Sequence, residues 1–290
     1  MKGAVSPPGR WEEIGRFLEI QNIGLNVPFA VAFLLLAANG LPRLVPLVLV
    51  LVAFVAARNA GHAFNRWADR ALDAANPRTA DRALPAGRLS GRFALGVTVL
   101  SAAVVVVAAA LLNRLALELA PVALALVLGY SYTKRFTAWT TPFLGLVQAI
   151  TPAATFVALD GTIPLAVWLA VGGILAWGTA FETVHSLGDL ESDRALGLRS
   201  LPVLLGPRRS VRLVAVLHGS ALVLLAAFGL AEGLRFPYEA GLVAIGVGMV
   251  FIDRTLARRD REIVVPFRWH FALAAIFLAG VALAVLVPWV

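Results

Sequence analysis

The feature that most constrains this chain is the recurrence of long apolar stretches from one end of it to the other. A helix needs about 20 predominantly apolar residues to cross the hydrocarbon core of a bilayer. We predict nine such spans, at about 24–40, 43–65, 93–112, 117–134, 141–159, 164–186, 211–231, 239–253 and 269–288. A backbone in lipid must satisfy its own hydrogen bonds, and no strand-type alternation is present. The sequence therefore predicts an all-α integral membrane protein, a bundle of nine transmembrane helices.

Basic residues are distributed unevenly between the segments that join these spans. The formal net charge is +8. With nine spans, the N-terminal tail and four basic loops fall on one side, and only Arg43, Arg114 and Arg235 fall on the other. Loops rich in lysine and arginine stay in the cytoplasm. We therefore predict a multi-pass protein of the cell (inner) membrane with a cytoplasmic N-terminus, and the one-sided charge does not indicate a nucleic-acid partner.

Two further properties limit the chemistry and the organisation of the chain. It contains no cysteine, which excludes disulfides, thiolate metal sites and a cysteine nucleophile. The residues before the first span, among them Glu12 and Glu13, lack the apolar region and cleavage site of a signal peptide, so we expect the first span to be retained. No long polar linker divides the sequence, and we predict one membrane domain over residues 1–290.

Two pairs of aspartates with the same four-residue spacing stand where apolar runs end. They are Asp69 with Asp73 and Asp189 with Asp193. Residues i and i+4 share one face of a helix, so each pair presents two carboxylates in one direction. Charges beside hydrocarbon are costly and rarely lack a role. One pair alone could be a solvated helix end neutralised by arginines, but two matching pairs on the same side favour a functional site.

Further polar residues extend both pairs into the membrane. The first stripe steps by three or four residues and consists of Arg58, His62, Asn65, Asp69 and Asp73. The second consists of Glu182, His185 or Ser186, Asp189 and Asp193. If the stripes face each other, they enclose a polar cavity that opens on the cytoplasm. Hard oxygen ligands of this kind suit Mg²⁺, which bridges carboxylates to the phosphates of a substrate. The two stripe histidines are interpreted as hydrogen-bonded cavity residues rather than metal ligands.

Basic residues within or after the motif loops predict a phosphate site. They are Arg78, Arg82, Lys134, Arg135, Arg194 and Arg199. Guanidinium groups bind phosphate oxygens in a bidentate manner, whereas lysine acts as a point charge. Contact with anionic lipid is the alternative, and it accounts best for Arg208, Arg209, Arg258, Arg259 and Arg261.

Three segments resemble the signature of the UbiA superfamily of intramembrane prenyltransferases. Residues 65–87 resemble its N-x-x-x-D-x-x-x-D motif with the sequel N-x-R-T-x-x-R-x-L-P-x-G, residues 189–206 its second aspartate motif, and residues 130–137 its Tyr-x-x-x-Lys segment. The resemblance covers essentially the whole chain, and the nine-helix architecture of the family matches the predicted spans. Arg66 departs from the Asn-Asp that opens the first motif in much of the family. The Asn-Arg variant resembles the branch of 4-hydroxybenzoate polyprenyltransferase-like proteins, which includes enzymes that prenylate a dihydroxynaphthoate.

The resemblance implies Mg²⁺-dependent transfer of a polyprenyl group from polyprenyl diphosphate to a small aromatic acceptor in ubiquinone or menaquinone biosynthesis. It implies two Mg²⁺ ions, with ligands Asn65, Asp69, Asp73, Asp189 and Asp193, of which the four aspartates are also catalytic. The diphosphate would be bound by Arg78, Arg82, Lys134, Arg135 and Arg199, and the acceptor by Arg58, His62, Glu182 and Tyr130. A cation as deep as Arg58 needs a partner, which we expect to be either the carboxylate of an aromatic acid or Glu182.

Several alternatives remain open at this stage. A membrane transporter would also have intramembrane charges, although its site is expected near the bilayer centre and not at one end. Within lipid enzymology, the acceptor could be a glycerol phosphate, haem or a homogentisate-type ring. The ring proton could pass to Asp189, to Asp193 or to the released pyrophosphate.

Overall fold

The computed structural model of the protein describes residues 9–20, 27–258 and 264–287, and the side chains of these residues except those of 264–267. The described residues form helices, turns and loops, with no strand among them. The helices in chain order are α1 (Arg10–Phe17), α2 (Val27–Ala37), α3 (Leu44–Ala75), α4 (Gly91–Leu112), α5 (Arg114–Thr133), α6 (Thr140–Asp160), α7 (Val167–Gly188), α8 (Leu190–Ala195), α9 (Leu201–Leu205), α10 (Pro207–Ala231), α11 (Tyr238–Ala257) and α12 (Val264–Leu286).

Eight of these helices, α3 to α7 and α10 to α12, are long and apolar enough to cross a membrane. The chain is therefore a multi-pass membrane protein. The first predicted span contains α2, an apolar helix of 11 residues, and the residues directly before Val27 lie outside the described part of the chain. The count of nine spans and the side of the N-terminus thus stay predictions. Arg259 and Arg261, which we interpreted as lipid contacts, also lie outside the described residues.

The long helices pack mainly against their neighbours in the sequence. Contacts join α3 to α4, α4 to α5, α5 to α6, α6 to α7, α7 to α10, α10 to α11 and α11 to α12, and α2 contacts both α12 and α3. The largest apolar core lies among α2, α6, α7 and α10 to α12, where the rings of Phe29, Trp177 and Phe277 pack together. The indole Nε1 of Trp177 donates to His270 Nδ1 at 3.0 Å, so its polar atom is satisfied inside this core.

Two glycines bring α6 and α7 into close contact. A Cβ atom on Gly145 would lie 2.3 Å from Thr179 Oγ1 and 2.8 Å from the carbonyl oxygen of Leu175, and one on Gly178 would lie 3.1 Å from Gly145 Cα. Small residues allow helix backbones to approach closely in membranes, where van der Waals packing drives association. We call this contact of Gly145 with Gly178 the glycine seam.

Asn113 connects three helices at the end of the bundle away from the aspartate motifs. It follows the last residue of α4, and its side-chain oxygen accepts a hydrogen bond from the backbone N–H of Ala116, which caps α5. Its Nδ2 donates to the carbonyl oxygens of Val157 and Ala158 in α6, at 2.6 and 3.2 Å. One side chain therefore satisfies polar groups of two helices and fixes their ends together.

The length of α3 places the first aspartate motif at the membrane surface. This helix has 32 residues, which at 1.5 Å per residue is about 48 Å. The hydrocarbon core is about 30 Å thick, so the last turns of α3, with Asp69 and Asp73, extend beyond it. On the neighbouring side, α7 ends at Gly188 and is followed by the short helices α8 and α9, which carry the second motif.

Candidate functional site

A cavity of about 750 Å³ lies among α3 to α7 and connects an apolar region to a polar one. The apolar region is lined by α3 to α6 and includes Val50, Val105 and Leu126. The polar region is lined by the last turns of α3 and α7 and by the segments that follow them. A concave apolar site with a few convergent polar groups fits a ligand that has a charged head and a hydrocarbon tail.

Most of the residues that the sequence singled out line this cavity. They are Arg58, His62, Asn65, Asp69, Asp73, Arg78, Arg82, Tyr130, Lys134, Glu182, His185, Ser186, Asp189, Asp193 and Arg199. The two polar stripes therefore share one cavity. Arg135 lies behind its wall and still reaches Asp69, whereas Arg194 is exposed at the surface of α8.

The first aspartate pair lies on the inner face of α3. Asp69 is 2% exposed and Asp73 is 7% exposed. Asn65 Nδ2 donates to Asp69 Oδ2 at 2.9 Å, one helical turn away. Because buried carboxylates are costly unless they are paired and hydrogen-bonded, each of these aspartates needs partners from elsewhere in the chain.

The partners of Asp69 come from the end of α5. Lys134 Nζ lies 2.7 Å from Asp69 Oδ2, and Arg135 Nη2 lies 3.4 Å from Asp69 Oδ1. Arg135 also donates to the carbonyl oxygen of Ala68 at 2.6 Å, and its guanidinium lies over the ring of Tyr132, 4.9 Å from the centroid. Three contacts hold Arg135 in place, so it positions the end of α5 against α3.

Asp73 is paired with a cation from the loop that follows α3. Arg82 Nη1 donates to Asp73 Oδ1 at 2.8 Å. The other oxygen, Asp73 Oδ2, is buried and has no hydrogen-bond partner in the part of the chain that the structure describes. The loop itself is fixed by Thr79, whose Oγ1 donates to the carbonyl oxygen of Asp73 at 3.0 Å. A buried carboxylate oxygen without a donor is suited to a cationic ligand.

The loops of the two motifs are joined directly. Arg78 of the first loop reaches Asp189 of the second, with Nη2 at 2.6 Å from Oδ1 and 2.8 Å from Oδ2. Asn76 Nδ2 donates to Ser192 Oγ at 3.2 Å. Ser192 Oγ in turn donates to the carbonyl oxygen of Asp189 at 2.9 Å. These bonds hold the second acidic pair beside the first, across the mouth of the cavity.

Asp193 lies in an environment that disfavours its negative charge. Burial, and next the negative charge of nearby Asp189, raise the pKa of Asp193 above its usual value. Lys134 acts in the opposite direction. Two carboxylates that repel each other in a partly buried site gain stability from a cation placed between them.

The residues fit a divalent cation, although the described part of the chain contains no group of three or more histidine or acidic side chains already arranged around a metal position. The donors are hard oxygens, which suit Mg²⁺. Asp73 Oδ2 has no donor among the described residues, and burial together with the charge of Asp189 raises the pKa of Asp193, so both carboxylates would gain from a bound cation. The existing counterions, Lys134, Arg78 and Arg82, hold the oxygens that a metal would need.

Glu182 lies on α7, deeper in the same cavity. Gln148 Nε2 of α6 donates to Glu182 Oε1 at 3.1 Å, and His185 Nδ1 lies 3.7 Å from Glu182 Oε2. Tyr130 and His62 line the opposite wall. The sequence did not single out Gln148, although an amide inside a predicted span was a usable signal for a residue that faces a cavity.

Arg58 is not paired with Glu182, one of its two expected partners, and the expected contact with the carboxylate of an aromatic acid stays a prediction. Its Nη1 and Nη2 donate to the backbone carbonyl oxygens of Leu18 and Glu19, at 2.7 and 2.8 Å, and not to Glu182. Arg66, noted above only for its departure from the family motif, is 7% exposed, and its side chain lines the cavity and pairs with Glu19. Backbone carbonyl groups carry no signature in a sequence, so these contacts were beyond prediction.

Arg199 is the last predicted phosphate ligand. Its Nη1 donates to the carbonyl oxygen of Phe136 at 2.8 Å, and its backbone N–H donates to the carbonyl oxygen of Lys134 at 3.0 Å. The residue therefore ties the segment after α8 to the end of α5, and it lines the cavity mouth.

Comparison with known proteins identifies the family of this chain. The sequence model of the UbiA prenyltransferase family matches residues 26–273. A 4-hydroxybenzoate octaprenyltransferase of Nitrosococcus oceani is 36% identical over 245 residues, which are 81% of this chain and 83% of that protein. A protein with the same activity from Aeromonas salmonicida is 32% identical over 255 residues, 87% of this chain and 88% of that protein.

Solved structures show the same fold. The apo structure of a UbiA homolog from Aeropyrum pernix K1 matches with a TM-score of 0.82 and 32% identity over 90% of this chain and 97% of that chain. The structure of a UbiA homolog from Archaeoglobus fulgidus bound to GPP and Mg²⁺ matches with a TM-score of 0.73 and 21% identity, over 93% and 99% of the two chains. At that identity, the second likeness concerns the fold alone.

Proposed function

This chain belongs to the UbiA prenyltransferase family and is a polyprenyltransferase, and we propose that it transfers a polyprenyl group from polyprenyl diphosphate to a small aromatic acceptor of quinone biosynthesis. The observation that carries the proposal is the meeting of both aspartate pairs with Arg78, Arg82 and Lys134 at the polar end of one apolar cavity. The names of the relatives, 4-hydroxybenzoate octaprenyltransferases, support an aromatic acid as acceptor and a long isoprenoid as donor.

The ion pairs of the site contain the cations that would bind a diphosphate and the carboxylates that would bind its metal ions. When a diphosphate binds, Lys134 would leave the carboxylate of Asp69, and Arg78 would leave that of Asp189. Both cations would then bind phosphate oxygens by charge-assisted hydrogen bonds. The carboxylates released in this way become ligands. We propose that two Mg²⁺ ions are held by Asn65, Asp69, Asp73, Asp189 and Asp193. Bound Mg²⁺ would neutralise charge on the diphosphate and so ease departure of the leaving group.

The basic side chains have a second task during the reaction. As the allylic C–O bond breaks, negative charge grows on the leaving diphosphate, and Arg78, Arg82, Lys134 and Arg199 stabilise it because they are fixed in place beforehand. The apolar part of the cavity holds the isoprenoid chain and excludes water from the allylic cation. The aromatic ring captures that cation at a carbon next to its hydroxyl group. The proton that the ring then loses passes to Asp189, to Asp193 or to the released pyrophosphate.

The acceptor is proposed to bind at a polar part of the cavity wall. This part consists of Glu182, Gln148, His185, Tyr130 and His62. They offer hydrogen-bond donors and acceptors in an otherwise apolar environment, as a hydroxylated ring requires. The basic loops after α3 and α8 place the site at the membrane surface, and we propose that this surface is the cytoplasmic one. We also propose that residues 1–290 act as one domain of the cell (inner) membrane.

Prenyl transfer by the purified protein in liposomes tests the proposal. The assay combines Mg²⁺ and geranylgeranyl diphosphate with 4-hydroxybenzoate, 1,4-dihydroxy-6-naphthoate, 1,4-dihydroxy-2-naphthoate, homogentisate or geranylgeranylglyceryl phosphate. Asp69→Ala and Asp189→Ala are the site variants. Glu118→Gln is the matched control, because it removes a carboxylate from an exposed ion pair with Arg114 at the other end of the bundle.

We expect product with one of the aromatic acids, and its loss in both site variants and with EDTA but not in the control. Product only with the glycerol phosphate would move the acceptor to another class. Failure to bind geranylgeranyl diphosphate in the presence of Mg²⁺ would contradict the proposed use of the aspartate motifs and would favour a transporter.

A further inference from the structure

An N-terminal segment closes one side of the polar cavity. It consists of α1 and the turn that follows it, residues 10–19, and we call it the N-terminal strap. Phe17 packs against Phe93 of α4, with ring centroids 5.8 Å apart, and Glu13 pairs with Arg88 at 2.7 Å. These contacts hold the strap to the loop between α3 and α4. The last part of the strap, Glu19, lines the cavity itself.

Glu19 is held there by two arginines of α3. Arg58 binds the carbonyl oxygens of Leu18 and Glu19, and Arg66 pairs with the carboxylate of Glu19. The backbone of Glu19 has a φ of 48°, in the left-handed region that residues other than glycine seldom adopt. Such a conformation persists only when the surroundings hold it in place, which the two hydrogen bonds from Arg58 do.

The cavity wall around Glu19 carries more positive than negative charge. Arg58, Arg66 and Arg82 all line it, and Arg82 already has Asp73 as its partner. Arg58 Nε is buried and has no hydrogen-bond partner among the described residues. This part of the wall is therefore suited to a further carboxylate.

Arg66 cannot be left without a partner. It is 7% exposed, and a buried cation that loses its carboxylate is strongly destabilised. Exchange of one carboxylate for another costs little by comparison, because the charge stays compensated throughout. An aromatic acid that also satisfies Arg58 Nε would gain a hydrogen bond that Glu19 does not make.

We propose that Glu19 is an internal stand-in for the carboxylate of the acceptor: it neutralises Arg66 in the acceptor-free protein and is displaced from Arg66 when an aromatic carboxylate binds. This inference rests on the proposed function and adds two elements to it. It assigns recognition of the acid group to Arg66 with Arg58, and it makes the N-terminal strap a competitor of the substrate.

The test compares Glu19→Gln, Arg66→Gln and the double variant with the unmodified protein. Glu12→Gln is the matched control, because Glu12 lies on the same strap and its ion pair with Arg16 is largely exposed. Equilibrium binding of 4-hydroxybenzoate and its KM in prenyl transfer are measured beside those of methyl 4-hydroxybenzoate, which has the same ring without the charge. The KM of the prenyl diphosphate reports on the rest of the site.

Glu19→Gln is expected to tighten binding of 4-hydroxybenzoate about threefold to tenfold, since the amide oxygen can still accept a hydrogen bond from Arg66 but no longer competes as a charge with the substrate carboxylate. Arg66→Gln should weaken binding of the acid by at least a similar factor. The double variant should behave as Arg66→Gln alone, because Glu19 acts through Arg66. Binding of the methyl ester, the KM of the diphosphate and the Glu12→Gln control should stay unchanged.

Weaker or unchanged binding of the acid in Glu19→Gln would overturn the inference, as would an equal effect on the ester. Prenylation of acceptors that lack a carboxylate, with none on the acids, would also overturn it while the proposed prenyl transfer stands. Absence of transfer to every acceptor would contradict the proposed function itself. In that case the binding measurement still decides whether Glu19 and the aromatic acid compete for Arg66.

Discussion

Lys134 Nζ lies 2.7 Å from Asp69 Oδ2, so a cation at the end of α5 neutralises the most deeply buried carboxylate of the aspartate motifs. The same lysine lines the cavity mouth, where a diphosphate would enter. On the proposed function, this pair holds a phosphate-binding cation and a metal-binding carboxylate together, and both would become available when the substrate binds.

Lys134→Gln should lower kcat/KM for the prenyl diphosphate about 10- to 100-fold, because a hydrogen bond to a charged group contributes about 1.5–3 kcal/mol. The KM of the diphosphate should rise more than that of the acceptor, since Lys134 would contact only the former. Steady-state kinetics with each substrate varied in turn measures both. Arg114→Gln is the control, as Arg114 is an exposed cation at the opposite end of the bundle. An equal loss in the control would assign the effect to net charge.

Binding of the diphosphate should depend on Mg²⁺ even without an acceptor. We expect geranylgeranyl diphosphate to raise the Tm of the protein in detergent when Mg²⁺ is present and to have little effect in EDTA, because a ligand stabilises only the state that binds it. Asp73→Asn should reduce this shift, since it removes the buried oxygen that lacks a donor. A full shift in EDTA would show that the basic residues bind the diphosphate without a metal.

The bond between Asn76 and Ser192 should orient the two motifs with respect to each other. Ser192→Ala removes it and is expected to cost about 1 kcal/mol of stability and to lower kcat/KM severalfold. Thermal unfolding and kinetics measure the two effects. Ser220→Ala serves as the control, because Ser220 is exposed and bonds only to Val216 of its own helix. Unchanged kinetics in Ser192→Ala would mean that Arg78 and Asp189 suffice to hold the loops together.

A side chain at the glycine seam should destabilise the bundle. Gly145→Ala would place Cβ 2.8 Å from the carbonyl oxygen of Leu175, and a backbone atom cannot move aside as a side chain can. Overpacking of this kind typically costs about 1–3 kcal/mol, so Tm should fall. Gly96→Ala in α4 is the matched control, since nothing lies within 4 Å of its Cβ position. A Tm that falls equally in both variants would contradict the role of the seam.

The orientation of the protein can be tested because the chain has no cysteine of its own. Single cysteines at Asp81, after α3, and at Glu232, after α10, both occupy exposed positions. If the motif loops are cytoplasmic, a membrane-impermeant maleimide should label Glu232→Cys in intact cells and Asp81→Cys only after permeabilisation. The reverse pattern would place the proposed active site outside the cytoplasm.

Much of the candidate site could be predicted from helical periodicity in the sequence. Asn65, Asp69 and Asp73 share a face because their spacing matches the turn of a helix, and that face could be derived without a structure. The ion pair between Arg78 and Asp189 was harder to predict from the sequence. Charge complementarity between loops predicts that such cations and carboxylates meet, but it does not decide which pairs form.

Contacts to the backbone and between distant loops could not be predicted from the sequence. The partners of Arg58 are carbonyl groups of Leu18 and Glu19, which any residue would offer, so the expectation of Glu182 as a partner was wrong. The importance of Arg66 was missed for a related reason. Its position on the helix is beside the polar stripe, and only the length of its side chain brings the guanidinium into the cavity.

The glycine seam also bears on how a protein like this can change its substrates. At Gly145 the approach of α7 is limited by two backbone atoms, the carbonyl oxygen of Leu175 and the amide nitrogen of Thr179, each 2.8 Å from where a Cβ would lie. Gln148 lies one turn from Gly145 on α6, and Glu182 lies one turn from Gly178 on α7, so both are mounted beside a fixed separation. If the proposed acceptor site is correct, replacement of Glu182 would change the chemistry of the wall beside a helix contact that backbone atoms limit. A new acceptor preference would then require a single substitution and no movement of the helices.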